Sequence, residues 1–368
     1  QNSYRIILDV ERQASIESLP LALSREERRS LLVEQLQATA KEAQSGLLAL
    51  LRERQATSQV GDIRPFWIFN GIAVTADADT ILDLATRSDV HAVRADRWRQ
   101  WVEPLIELQG ATPSALPSLW NISQVRADQT WSALGLDGSG VTVAIMDTGV
   151  DWQHPALQAQ YRGYKPEGLT IHEGNWFCTT DEGYLYPVDG NGHGTHVAGI
   201  AVGGQDDQGR PIGVAPGAQW IAVKMLSDGG FGYDSWIHAA FEWLMAPGGD
   251  PDLAPDVVNG SWGSSDLQDE VFRTDIQALV AAGIVPVFAA GNEGPRSSTV
   301  RVPANYGEAI AVGATDELDQ VASFSSRGPS PWGEVKPEVA APGTQIWSSL
   351  PGGTYGEHNG TSMACPHV

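Results

Sequence analysis

The alternation of apolar and polar positions divides the chain into two parts of different rhythm. In the first, "SYRIILDV" (3–10) is a short β-rich run. Ser24, followed three residues later by Glu27, spells a helix start, and "REERRSLLVEQLQATAKEAQSGLLALLRERQ" predicts one long amphipathic helix over 25–55. "DIRPFWIFNGIAVTA" (62–76) divides at Asn70-Gly71 into the two strands of a hairpin. A helix over "DADTILDLATRSD" and a last strand "HAVRADRW" (91–98) complete the order βαββαβ, that of a ferredoxin-like α+β split unit. Residues 1–99 carry no cluster of nucleophile, base or metal ligands, which predicts a binding or folding role. From 100 to 121, three prolines and no periodicity predict an exposed linker open to cleavage.

From there to the end, 122–368, the rhythm changes. "VTVAIMD" (141–147), "AQWIAVKML" (218–226), "DVVNGSWG" (256–263), "IVPVFAAGN" (284–292) and "AIAVGA" (309–314) are near-continuous apolar runs, as parallel strands buried on both faces require. Helical stretches lie between them, at 234–245 and 266–283. Strands alternating with helices predict a doubly wound, mainly parallel α/β sheet, whose chemistry gathers beyond the carboxyl ends of the strands.

Composition narrows the partners. The chain has 368 residues and no run of eighteen apolar ones, so no membrane span is predicted. Residues 1–105 hold 13 Lys and Arg against 15 Asp and Glu, which leaves −20 of the formal charge of −22 to the remainder. That acidity argues against nucleic acid or an anionic membrane surface as partner. Cys178 and Cys365 are too few for a disulfide scaffold and lack metal-site spacing; a disulfide between them and a small buried thiol at Cys365 both stay open. Neither a signal peptide nor an initiating Met opens the chain, as expected of a processed precursor or a fragment.

Three strand-end or helix-start residues carry candidate chemistry. Asp147 closes "VTVAIMD", a place where Asp also serves as a turn or cap residue. "DGNGHGTHVAGI" (189–200) holds His193 and His196 three apart; zinc-binding helices use a spacing of four with a Glu between, so one base and one packing histidine fit better. Ser362 in "NGTSMACPHV" reads as a helix cap, but its small neighbours allow close approach of another backbone. Together they supply what acyl transfer needs: a hydroxyl, a base near neutral pKa and an orienting carboxylate, in the order Asp, His, Ser.

"AIMDTGVDWQHPAL", "NGHGTHVAG", "AAGNEG" and "NGTSMACPHV" resemble, in order over 141–368, the Asp, His, oxyanion-Asn and Ser blocks of the subtilisin-like serine proteases, the subtilases. "HPALQAQYRGY" and "GNWF" look like the bacillopeptidase F branch, and residues 3–98 resemble the propeptide that such enzymes carry as folding aid and temporary inhibitor. The resemblance implies Ser362 as nucleophile, His193 as general base and acid, Asp147 as its orienting partner, and Asn292 with the Ser362 N–H as oxyanion donors. Substrate would lie extended between the edge segments "GGFG", with Gly230, Phe231 and Gly232, and Ser261-Trp262-Gly263; Ala289-Ala290-Gly291 would complete the walls of the main pocket, with Arg301 at its floor favouring an acidic residue before the scissile bond. Protein or peptide substrates and the chain's own propeptide, bound in cis, are the partners so implied, and secretion the location. No cofactor is required. Calcium is doubtful, because the slot where relatives place a carboxylate after "HP" holds Ala156, while Asp206 and Asp207 lie on a loop that could hold a hard cation or simply be a polar hairpin. In the resembled fold Ser362 opens a long central helix, so a chain stopping at Val368 is expected to be incomplete and little active as it stands. The competing expectations are a catalytically silent binding protein of the same fold and an independent inhibitor formed by 1–99.

Overall fold

The computed structural model describes residues 3–16, 23–103 and 120–368. Most of the predicted linker lies outside the described residues. The first part forms strand β1 (Ser3–Val10), helices α1 (Arg25–Ala43) and α2 (Ser45–Ala56), strands β2 (Val60–Phe66) and β3 (Gly71–Asp77), helix α3 (Ala78–Ala85) and strand β4 (Val90–Ala95). The sheet is antiparallel in the order β2-β3-β1-β4, the ferredoxin-like arrangement. Alternate residues Ile6, Leu8, Ile72 and Val74 turn to one face, where they pack with Leu47, Leu51 and Leu84 of the helices.

Two predicted elements are divided. The capping box forms as expected, with Glu27 N donating to Ser24 Oγ and Ser24 N to Glu27 Oε2, but the predicted single helix breaks at Gln44. That side chain, 3% exposed, donates to Phe66 O at 2.7 Å and Asn70 Oδ1 at 2.8 Å, so the break is pinned to the loop before β3. The last strand stops at Ala95 because the next carboxylate, Asp96, accepts from Ser235 N and Oγ (2.9 and 2.7 Å) and from Arg5 Nε (3.1 Å).

The second part contains β5 (Thr142–Asp147), β6 (Trp176–Cys178), α4 (His193–Val202), β7 (Gln219–Lys224), α5 (Asp234–Met245), β8 (Val257–Gly260), α6 (Arg273–Ala281), β9 (Val285–Ala289), β10 (Ile310–Thr315), β11 (Val339–Pro342), the hairpin β12 (Ile346–Leu350) and β13 (Thr354–His358), and α7 (Thr361–Ala364). Seven strands form one sheet in the order β11-β10-β9-β8-β5-β7-β6, every pairing parallel. All five apolar runs became its strands. The two edges, β6 and β11, have only three and four residues, too short to stand out as runs. The helix predicted over 266–283 starts only at Arg273, since Ser264 and Asp269 cap turns ahead of it. Strand order reverses at β5, which makes its carboxyl end a crevice. Ile145 of β5, Val197 and Ala198 of α4, and Met363 of α7 share one buried cluster with Trp220.

The described chain forms two compact units, one of 1–99 with 233–254 and 274–283, the other of 100–232, 255–273 and 284–368. Within the first, the loop after β2 docks on α5: Trp67 N and Ile68 N donate to Glu242 Oε2, and Phe69 stacks on His238 at 4.0 Å. Arg29 of α1 donates to Ala254 O at 3.2 Å and Ala282 O at 3.4 Å.

Replacing Gln44 by Ala strips Phe66 O and the Asn70 amide of a buried partner, a loss of about 1–3 kcal/mol. Hydrogen exchange of the β3 amides in the full chain should accelerate roughly tenfold or more; unchanged protection would show that the break does not depend on this side chain.

Candidate active site

At the carboxyl end of β5, Asp147 is fully buried, and its Oδ1 and Oδ2 lie 2.8 and 3.0 Å from His193 Nδ1. Thr148 N donates to the same Oδ1 at 2.7 Å, fixing the carboxylate from the backbone side. His193, 1% exposed, is the first residue of α4. Its neighbour Gly194 must lack a side chain, because a Cβ there would fall 2.1 Å from Gly149 O and 3.1 Å from Asp147 Cβ. Burial disfavours charge on His193, but the attraction of Asp147 and the hydrogen bond through Nδ1 outweigh it, so its pKa lies above the ordinary value. His196, one turn on, goes the other way: burial and the nearby His358 ring hold it well below the usual range, and its Nε2 bonds Gly356 O at 3.1 Å. It is the packing histidine of the pair.

The start of α4 is set by a residue that the motif reading passed over. Asp189 Oδ1 accepts from Gly192 N (2.9 Å), Asn191 N (3.1 Å) and Thr148 Oγ1 (2.9 Å), and Oδ2 from Thr195 N (2.9 Å) and Oγ1 (2.7 Å). It satisfies the orphan donors of the helix start and ties that start to the residue after Asp147. Burial, the largest influence, raises its own pKa. The only sequence signal was an Asp ahead of a Gly-rich helix start, common to many caps. Lys224, fully buried at the end of β7, donates to Thr148 O at 2.8 Å and Asp228 Oδ1 at 2.7 Å, closing the same corner.

Ser362 is the second residue of α7, which packs against α4. Its hydroxyl donates to Ser261 O at 3.1 Å, and Ser261 Oγ donates to Ser362 O at 2.9 Å. Asn292 is anchored by its carbonyl: Oδ1 accepts from Thr361 N (2.9 Å) and Thr361 Oγ1 (3.1 Å), while Gly291 N donates to Thr361 Oγ1 (3.0 Å). Its Nδ2 is thereby turned away. A Cβ on Gly360 would lie 3.6 Å from both Asn292 Nδ2 and Ser362 N, so two N–H donors border the space that this glycine leaves open. Asp147 and His193 are thus directly bonded, while Ser362 and Asn292 meet through Thr361 and Gly360.

The edge segments hold a stretch of the chain itself. Trp101 N and Val102 N donate to Gly230 O at 2.9 and 3.2 Å, Gly263 N donates to Trp101 O at 3.0 Å, and the Trp101 indole donates to Gly232 O at 3.2 Å. Phe231 closes the turn beside them by bonding Ser227. Ser261, Trp262, Gly263, Ala289, Gly291 and Arg301 line one pocket with Ser362; Ala290 stands behind it, its carbonyl receiving Arg301 N at 2.9 Å. Elsewhere, Asp206 accepts from Gln208 N, Arg210 N and the Arg210 guanidinium, while Asp207 lies in the turn and Ala156 is buried. Both cysteines are free, and burial raises the Cys365 thiol pKa. Among the described residues no group of three His, Cys, Asp or Glu side chains is arranged to hold a metal.

The geometry can be set against known proteins. The model of the subtilase family matches residues 138–368. The chain belongs to the subtilase family. It is 41% identical over 376 residues to bacillopeptidase F of Bacillus subtilis (strain 168), an alignment covering 97% of this chain and 26% of that protein. It is 36% identical over 307 residues to subtilisin E of the same organism, covering 83% of this chain and 70% of the relative. With the subtilisin of Bacillus pumilus it shares 40% over 251 residues, covering 68% and 81%. The chain thus spans about a quarter of the length of bacillopeptidase F and most of that of the subtilisins. For this subtilase chain, the parallel seven-stranded sheet is the fold that the resemblance implied.

Asp189→Ala leaves several buried donors without a partner and should cost roughly 2–4 kcal/mol. Thermal unfolding should fall accordingly, and the amides of α4 should exchange first. A variant as stable as the parent would show that the start of α4 is held by other contacts.

Proposed function

We propose that the chain is a serine endopeptidase, secreted and made as a zymogen, that cleaves peptide bonds through Ser362, His193 and Asp147. The observation that carries this reading is the buried Asp147–His193 hydrogen bond at the strand-order reversal, beside the helix that bears Ser362. Ser362 Oγ turns from Ser261 O to the imidazole and attacks the substrate carbonyl. His193 takes its proton and returns it to the leaving amine, and Asp147 holds the tautomer and stabilises the imidazolium. Asn292 Nδ2 and Ser362 N receive the developing oxyanion. This chemistry draws on side chains and backbone alone, with no cofactor assigned.

Substrate adds as a strand between Gly230 and Gly263, where main-chain hydrogen bonds supply affinity; residues 101–102 sit there in that manner. Residues 1–99 act as the propeptide, and their contacts with α5 and with the Ala254 and Ala282 carbonyls support an inhibitor held in cis until a cut within 97–121. Among the described residues no helix is long and apolar enough to cross a membrane.

Labelling with an alkyl fluorophosphonate tests the reading. The mature protein should be modified at Ser362, and Ser362→Ala should abolish both labelling and hydrolysis. Asn292→Ala should lower kcat about 10²–10³-fold with little change in KM, a magnitude known from subtilisin itself. An unlabelled protein that still binds peptides would instead be the silent binding protein.

A further inference from the structure

The pocket beside Ser362 contains a cation. Arg301 is fixed at the backbone by its N–H to Ala290 O and by its carbonyl, which receives Asn305 N, both at 2.9 Å. Its stem runs between the two pocket walls: a Cβ at Gly263 or Gly291 would come within 3.0 or 2.8 Å of it. The side chain is 14% exposed, and its guanidinium meets two carboxylates, Glu103 at 2.5 Å and Glu293. Arg301 Nε is buried with no hydrogen-bond partner.

Glu103 does not reach this place by chance of a loose side chain. Two residues earlier, Trp101 is held between Gly230 and Gly263, and its buried ring packs edge-on against Trp262 and tilted against Phe272, each at 5.6 Å. An extended segment seated so firmly delivers its next side chains to fixed positions, and Glu103 comes to line the same pocket as Asn292, Thr361 and Ser362. A residual volume of about 20 Å³ remains there. Glu293 has partners of its own: Oε2 accepts from Ser326 Oγ at 3.1 Å. A guanidinium carries five N–H donors in a planar fork, so pairing with Glu293 does not exhaust it. With no substrate present, Glu293 prevents Arg301 from being a buried unpaired charge; a second carboxylate finds donors still to spare.

We propose that Arg301 makes this pocket selective for an acidic side chain, so that accepted peptides carry Glu at the residue whose carbonyl Ser362 attacks. The chain's own Glu103 occupies the pocket as such a residue would. This rests on the peptidase reading above and adds the substrate class to it. Long-range attraction plays no part, since a chain of net charge −22 repels acidic segments at a distance. The selectivity is made at contact range, by charge-assisted hydrogen bonds at one wall.

The test compares kcat/KM of the mature protein on peptides identical except for Glu, Gln, Phe or Lys at that residue. Glu should exceed the isosteric, uncharged Gln by about 10- to 100-fold, the range of a hydrogen bond to a charged partner. Arg301→Gln should bring the Glu-to-Gln ratio near one. Glu293→Gln should raise it, because the competing carboxylate is gone, and a misfolded variant cannot mimic that gain. Fluorophosphonate labelling of each variant reports whether its site is assembled. Equal rates on Glu and Gln, a ratio insensitive to Arg301→Gln, or a ratio that falls in Glu293→Gln would overturn the proposal while leaving the peptidase reading in place. Absence of both hydrolysis and labelling would remove that reading and this proposal with it.

Discussion

A single buried hydrogen bond, from His193 Nδ1 to the Asp147 carboxylate, organises the site. A charge can be kept away from water there only because it is fully partnered: Thr148 N shares Oδ1, and the imidazole takes both oxygens. The rest of the local fold serves that requirement. The central position of β5 buries Asp147, Asp189 sets where α4 begins, and Gly194 lets the helix approach the strand end. The hairpin of β12 and β13 holds α4 from its other side, with Ser348 Oγ and Ser349 Oγ donating to His196 O and Thr195 O.

The second half of the site is built by reciprocal contacts. Ser261 and Ser362 exchange hydrogen bonds between hydroxyl and carbonyl, and Thr361 immobilises the acceptor end of Asn292 so that the donor end is free. Preorganisation of this kind costs nothing at the moment charge develops, which is why such donors act strongly. The cleft follows the same economy. Two glycine-bearing edges present backbone groups to residues 101–102, and a single cationic side chain, Arg301, passes between Gly263 and Gly291.

Much of this was legible in the sequence, for reasons that can be named. Five strands of the sheet are continuous apolar runs because both their faces are buried, and Asp147 announces itself by closing one of them. The spacing of His193 and His196 marked one base and one packing histidine, and the family resemblance assigned the base to His193. What escaped were features that depend on distant partners. The break at Gln44 is fixed by Phe66 and Asn70, residues 22 and 26 positions away, and the helical pattern marks it only by the weak helix formers Ser45 and Gly46. Asp189 resembles any cap until its five donors are seen together. The edge strands β6 and β11 have three and four residues, too few to show a period. Arg301 was legible as a cation near the pocket, but its pairing with Glu103 spans 198 positions.

The most direct measurement is the titration of His193 by NMR, read from its ring signals in the parent and in Asp147→Asn. Because the carboxylate favours the charged imidazole more than burial disfavours it, the midpoint in the parent should lie above the ordinary histidine value near 6.5. In Asp147→Asn burial remains and the attraction is lost, so the midpoint should drop below 6.5. A parent value at or below 6.5, or one unmoved by the substitution, would contradict a site organised around this pair.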